Sequence, residues 1–184
     1  MSKKVFGLVG PIASGKGTIV KILVEKGYKP YSLSDRIREE ITARGLEITR
    51  ITLNHVSNDL RFTLGSEVLA KRTVELINLD NPEFVIIDAI RNPQEVLYLK
   101  ENLGAEIIGV TAPQERRYEM FKNRGTNDAG IDSFEQFKEL DDRETEGTDD
   151  HSQRVADSLA MADKLIENDG TIEELRRKIN KIIE

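Results

Sequence analysis

The sequence predicts a three-layer α/β/α fold around a five-stranded parallel sheet. Short apolar runs rich in β-branched residues recur along the chain, helical patterns separate them, and a glycine-rich loop joins the first run to the first helix. Runs this short suit a sheet buried on both faces. Strands alternating with helices imply parallel order with right-handed crossovers.

The strands are expected at residues 5–9, 31–33, 84–87 and 107–110, with a weaker fifth at 164–166. The first helix, 18–26, turns Ile19, Ile22 and Leu23 to one side and stops at Gly27. A second pattern at 49–64 aligns Leu53, Val56, Leu60 and Leu64 and stops at Gly65. Asn92, Pro93 and Glu95 form an N-cap, a first-turn proline and a capping-box partner. Ser133 with Gln136 and Thr171 with Glu174 repeat the capping-box spacing, and the last helix is expected to bury Ile172, Leu175, Ile179 and Ile182. Two stretches, 34–79 and about 114–162, are helical without intervening strands. Both are expected at the carboxyl edge of the sheet, where open α/β sheets bind ligands.

With 184 residues the chain is long enough for one domain, 1–184, since a domain averages about 150 residues. Its 27 Lys and Arg against 33 Asp and Glu give a net charge of −6, which argues against nucleic acid as a partner recognised by the bulk field. The absence of cysteine excludes disulfides, Cys-ligated zinc and iron–sulfur clusters. Two histidines, His55 and His151, offer no His-based metal site or triad. The N-terminal apolar run is broken at once by GPIASGKG, and no stretch approaches the roughly 20 apolar residues of a membrane helix. The expectation is a soluble, cytoplasmic protein with no membrane partner.

The sharpest signal is Gly10-Pro11-Ile12-Ala13-Ser14-Gly15-Lys16-Gly17-Thr18, between a strand and a helix. Glycines at 10, 15 and 17 let backbone N–H groups close around phosphate oxygens, and the helix N-terminus adds its positive end. Lys16 supplies a mobile cation for the β- and γ-phosphates. The nucleotide-binding set is therefore Gly10, Ala13, Ser14, Gly15, Lys16, Gly17 and Thr18. The Walker pattern wants Ser or Thr directly after the lysine, and here Gly17 stands there with Thr18 next. Phe84-Val85-Ile86-Ile87-Asp88 is an apolar strand ending in an acid, a Walker-B pattern. Asp88 and the Thr18 hydroxyl are the expected Mg²⁺ ligands, directly or through water.

Gly-Lys-Gly-Thr after Gly-Pro resembles the phosphate loop of adenylate kinases and related nucleoside monophosphate kinases, members of the P-loop kinase superfamily. The resemblance continues along most of the chain. Asp88-Ala89-Ile90-Arg91 is similar to the family's Asp-Gly-x-x-Arg segment, and Ser34-Asp35-Arg36-Ile37-Arg38 to its acceptor-phosphate helix. These similarities imply acceptor binding by Arg38 and Arg91, with Asp35, and place Arg38 before Arg36. Asn54, Asn58 and Arg61 lie on one helical face. Two readings fit that face: a surface that reads a base and a phosphate through Arg61, or an ordinary solvated one. The family's helical lid falls at about 124–150 here and implies catalytic roles for Arg124 and Arg143 beside Lys16 and Asp88. The segment Ala162 to Thr171 resembles the last strand and turn of dephospho-coenzyme A kinases, which implies that Asn168 and Gly170 lie beside adenine. The likeness is greatest to small archaeal adenylate-kinase-like proteins, whose segment reads Asp-Gly-Ile-Arg.

The implied function is transfer of the γ-phosphate of ATP, with Mg²⁺, to a small phosphorylated acceptor, a nucleoside or deoxynucleoside monophosphate. Residues 34–79 would form the acceptor-binding region. Two alternatives remain: a dephospho-coenzyme A kinase-like enzyme, and a regulatory or assembly ATPase with little kinase turnover, for which residues 49–64 would be a docking face. A monomer and a homodimer are both compatible with the sequence.

Overall fold

Strict alternation inside the apolar runs lets one sheet serve two cores. A computed structural model describes residues 3–123, 131–147 and 149–184. In β1 (Lys4–Val9), Val5 and Val9 face one layer while Phe6 and Leu8 face the other. The same division holds in β3 (Phe84–Ile90) and β4 (Glu106–Thr111), each with both faces buried. With the edge strands β2 (Lys29–Ser32) and β5 (Lys164–Glu167) they form a parallel sheet of order β2-β3-β1-β4-β5 among the described residues.

Helices α1 (Lys16–Val24) and α9 (Ile172–Ile183) cover one face through Ile19, Ile22, Leu23, Leu175 and Ile179. The other face is covered by α2 (Leu33–Ala43), α3 (Arg50–Leu64), α4 (Val68–Asp80) and α5 (Pro93–Leu103). Helices α6 (Gln114–Lys122), α7 (Phe134–Glu146) and α8 (Val155–Ala160) follow β4. Phe121 of α6 and Phe137 of α7 pack with Ala13 of the glycine-rich loop in a third, small cluster. From β1 the chain runs first to one edge of the sheet and later to the other. The loop after β1 therefore sits at a switch point, where α/β sheets open a crevice.

All three expected capping boxes form, at Asn92–Glu95, Ser133–Gln136 and Thr171–Glu174. A fourth pairs Thr49 with Thr52 at the start of α3. Three expectations are corrected. Leu33 is not the end of β2 but the first residue of α2, fully buried under the sheet. The edge strand instead starts at Lys29, and its exposed Lys29 and Pro30 hide it from an apolar pattern. Leu64 and Ile172, at helix ends beyond the sheet's cover, are 52% and 61% exposed rather than core.

The third correction concerns Asp88. It does not end its strand; β3 continues to Ile90. The register against β1 slips there, from Gly7↔Ile87 to Val9↔Ile90, so two residues of β3 oppose one of β1. Such a bulge re-aims side chains beside a site. Its second residue, Ala89, has φ 62°, a left-handed conformation that costs an L-residue roughly 1–2 kcal/mol.

Ala89→Gly is expected to leave the unfolding free energy unchanged or raise it by up to about 1 kcal/mol, relief of strain exceeding glycine's added chain entropy. Ala89→Val should lower it by about 1–3 kcal/mol, because a β-branched residue is an outlier at positive φ. Denaturant titration of both variants checks this; a valine variant as stable as the native chain would refute the strain.

Candidate functional site

Backbone geometry builds the glycine-rich loop. Gly10 has φ 149°, and a Cβ there would collide with the Val110 carbonyl oxygen. Gly15 has φ 106°, and a Cβ there would meet the Asn168 amide. The loop closes onto α1 as Thr18 N and Ile19 N donate to Gly15 O. Lys16 Nζ donates to Gly10 O at 2.7 Å and to Pro11 O at 2.9 Å, so the ammonium lies over the loop. Asn168 is 6% exposed and donates from Nδ2 to Ser14 O at 3.0 Å, bracing the loop from β5. Gly17 has no atom within 4 Å of where a Cβ would stand, so packing does not demand glycine at the Walker hydroxyl position.

Across the crevice stand Asp88, Arg38 and Arg91. These three, with Lys16, Ser32, Ser34, Ile12, Ala13 and Ala89, line a cavity of about 200 Å³. Asp88 Oδ1 is buried without a hydrogen-bond partner among the described residues. A buried carboxylate oxygen left unmatched is costly unless something external completes it. The cavity continues, through Ile12, Ser34, Arg38, Ala89 and Arg91, into a second of about 730 Å³ between α2 and α3. Four arginines, Arg38, Arg50, Arg61 and Arg91, and one acid, Glu144, are the charged residues on its wall. In a chain of net charge −6 this is a local excess of positive charge.

Ion pairs set the arginines. Arg38 Nη1 donates to Asp35 Oδ1 at 3.1 Å on the exposed side of α2. Arg61 is 1% exposed and donates from Nε and Nη2 to Glu95 Oε1 at 3.1 and 2.9 Å. Its Nη1 has no partner among the described residues. Glu95 Oε2 accepts from Arg91 N and Asn92 N, so the capping acid of α5 is also the counterion of Arg61. Arg91 Nη1 donates to Glu144 Oε2 and to Gln153 Oε1, both at 2.9 Å. Arg50 Nη2 donates to Glu144 Oε1 at 2.7 Å. Burial opposes charge on Glu144, and Arg91 and Arg50 outweigh it, holding its carboxyl below the usual glutamate value.

The structure brings Lys16, Asp88, Arg38 and Arg91 to one cavity, and Arg61 to its extension. Asp35 lines neither and acts on Arg38 instead. Arg143 is exposed on α7, and its neighbour Glu144 faces inward, because adjacent helical residues point about 100° apart. Thr18 lies in the first turn of α1 and lines neither cavity. Gly170 lies by the turn before α9, where Arg116 donates to its carbonyl oxygen. Asn58 is exposed, whereas Asn54 lines the larger cavity and accepts from Gln153 Nε2. Arg124, with residues 125–130 and 148 of the expected lid, lies outside the described residues.

Sequence reasoning missed Arg50, Glu144 and Gln153. A signal for Glu144 existed. Phe137, Leu140, Asp141 and Glu144 are the buried residues of α7, at spacings of three, one and three. Acids on an apolar stripe demand buried partners, and Asp141 finds Arg117 as Glu144 finds Arg50 and Arg91.

A family model described as an AAA domain matches residues 7–147. A UPF0200 protein of Thermococcus onnurineus is 34% identical over 182 residues, covering 96% of this chain and 95% of its own length. A UPF0200/UPF0201 protein of Archaeoglobus fulgidus is 34% identical over the whole chain, and the chain spans 56% of that relative. Among solved structures, shikimate kinase from Acinetobacter baumannii superposes with a TM-score of 0.57 at 18% identity, covering 98% of this chain and 93% of that one. Both the loop and the sheet thus have the P-loop kinase fold. Among the described residues, no helix is long and apolar enough to cross a membrane.

Removing one partner of a fully buried ion pair strands the other, at a cost of about 3–5 kcal/mol. Glu95→Ala and Arg61→Ala are each expected to lose that much unfolding free energy, read by denaturant titration. Native-like midpoints would show that the pair is not structural.

Proposed function

The chain belongs to the UPF0200 family of AAA-domain P-loop proteins, and we propose that it is an ATP-dependent phosphotransferase acting on a small phosphorylated acceptor, a nucleoside or deoxynucleoside monophosphate. One observation carries the proposal. Lys16 and Asp88, from the nucleotide side, share a single cavity with Arg38 and Arg91, from the acceptor side. That arrangement suits a reaction whose two substrates both present phosphates.

In this reading the amides of the loop and Lys16 hold the donor phosphates, and Lys16 follows charge as it builds on the bridging oxygen. Arg38 and Arg91 hold the acceptor phosphate, whose oxygen attacks the γ-phosphorus as the bond to the β–γ bridging oxygen breaks and ADP leaves. Guanidiniums suit that role because they bind phosphate through two parallel hydrogen bonds. Asp88, with its unmatched Oδ1, fits a Mg²⁺ ion bound mostly by water and phosphate oxygens. When bound, that ion supplies charge neutralisation on the donor phosphates. The described residues offer no group of three or more His, Cys, Asp or Glu to cage a metal, which agrees with an ion carried in by the nucleotide.

Beyond the arginines, the larger cavity offers Ile48, Ile51 and Leu53 for an apolar ring, and Asn54 and Ser57 for its polar edge. This supports a nucleotide acceptor. A regulatory ATPase is the second reading, favoured by Ile51 and Phe62, 80% and 74% exposed on α3.

A coupled assay over nucleoside and deoxynucleoside monophosphates and dephospho-coenzyme A tests the proposal. Transfer to one of the monophosphates is expected, and ATP hydrolysis independent of every acceptor would favour the second reading. Lys16→Ala should lose about 10²-fold or more in kcat while remaining folded, scaled from loss of one charge-stabilising donor.

Arg38→Ala and Arg91→Ala should raise acceptor KM or lower kcat with ATP affinity nearly unchanged, measured by calorimetry beside steady-state kinetics. Loss of ATP binding with acceptor affinity intact would reverse the assignment. Chelation should abolish transfer without unfolding the protein.

A further inference from the structure

The inward face of α7 carries a carboxylate into the larger cavity. Only 7% of the Glu144 side chain is exposed, and Arg50 and Arg91 grip its two oxygens from different elements, at 2.7 and 2.9 Å. A carboxylate held this way presents to the guanidiniums what a phosphate would: two charged oxygens for two donors. On the same cavity the buried Arg61 keeps Nη1 without a partner among the described residues. A brace built only for stability would match buried charge with charge, since an unmatched buried donor is costly. Among the described residues, Asp35 pairs with Arg38 and Glu95 with Arg61, while Glu144 serves both Arg50 and Arg91, so this part of the wall keeps one positive charge in excess with Glu144 in place.

We propose that Arg50 joins Arg38 and Arg91 in the oxyanion site for the acceptor's phosphate, that Glu144 occupies the Arg50–Arg91 part of it as an internal stand-in, and that the acceptor displaces Glu144 and releases the C-terminal end of α7. Asp141 lies three residues earlier on the same face and is held by Arg117 of α6 in a pair of hydrogen bonds, at 2.5 and 2.7 Å. That pair is a pivot: it keeps α7 on α6 while the end bearing Glu144 swings. The carboxylate also makes the site selective, because a ligand must bring more negative charge than one carboxylate to win both arginines. A phosphate monoester does, with about two charges near neutral pH. The acceptor's identity rests on the phosphotransferase reading, whereas the oxyanion site does not.

Inorganic phosphate is the probe. It is titrated by calorimetry into the full chain, into Glu144→Gln and into Glu144→Gln with Arg50→Gln, all in a Lys16→Ala background that weakens binding at the glycine-rich loop. Removing a resident competitor restores the affinity lost to its occupancy. Glu144→Gln is therefore expected to bind phosphate about tenfold tighter, and the added Arg50→Gln to lose that gain. Hydrogen exchange on the native chain supplies a readout that needs no variant: phosphate should speed exchange at residues 141–146. Unchanged or weaker binding by folded Glu144→Gln, or slowed or unaltered exchange in α7, would overturn the proposal. If phosphate behaves as expected but no acceptor is phosphorylated, the phosphotransferase reading fails and the oxyanion site stands. If transfer is robust and Glu144→Gln changes neither phosphate affinity nor acceptor KM, the displacement fails alone.

Discussion

The carboxylate of Glu95 ties the acceptor side of the molecule together. It is fully buried and accepts four hydrogen bonds, two from Arg61 and one each from the backbone N–H groups of Arg91 and Asn92. One oxygen therefore starts α5, and the other anchors α3 across the core. A buried charge is tolerated only when paired and hydrogen-bonded this fully. Because Glu95 holds Arg91 by its backbone, the Arg91 side chain leaves the β3–α5 corner in a set direction, toward Glu144 and Gln153. The cavity between α2 and α3 depends on that corner.

The bulge in β3 has the complementary effect on the other wall. Without the extra residue, alternation would continue past Ile87 and carry Asp88 and Ala89 to opposite faces of a regular strand. With it, both line the smaller cavity beside Lys16. Strain at Ala89 and the unmatched oxygen of Asp88 occur side by side, where a ligand's phosphates and cation would lie. The surrounding fold holds the strained backbone, whereas the unmatched carboxylate oxygen calls for a partner from outside the chain.

Charge distribution separates the parts that hold still from those that can move. Arg61–Glu95 and Arg117–Asp141 are buried pairs within the scaffold, and each costs several kcal/mol to break from one side. Arg38–Asp35 lies half exposed, where ion pairs contribute about 0–1 kcal/mol. Glu144 stands between these cases. It is buried like a structural acid, yet its partners lie on a cavity wall that a ligand can reach.

Much of this was determined by local sequence. The β-branched runs, the capping boxes and the glycine-rich loop act over a few residues, and the chain shows each directly: Asn92 with Glu95, Thr171 with Glu174, Gly10 through Lys16. They sufficed for the parallel sheet and for Lys16 and Asp88 at its carboxyl edge, while Arg38 and Arg91 were indicated by the resemblance to nucleoside monophosphate kinases. The edge strand β2 was legible only at Tyr31 and Ser32; its start at Lys29 and Pro30 was not, because exposure removes the apolar signal. The partners of the charged residues were decided only by the tertiary structure. Arg61 finds Glu95 across 34 positions, Arg91 finds Glu144 across 53, and Arg50 finds Glu144 across 94. An arginine carries no local mark of whether it will meet a buried acid, a ligand or water. That choice depends on which helices pack together, and burial then turns a modest attraction in water into a strong constraint.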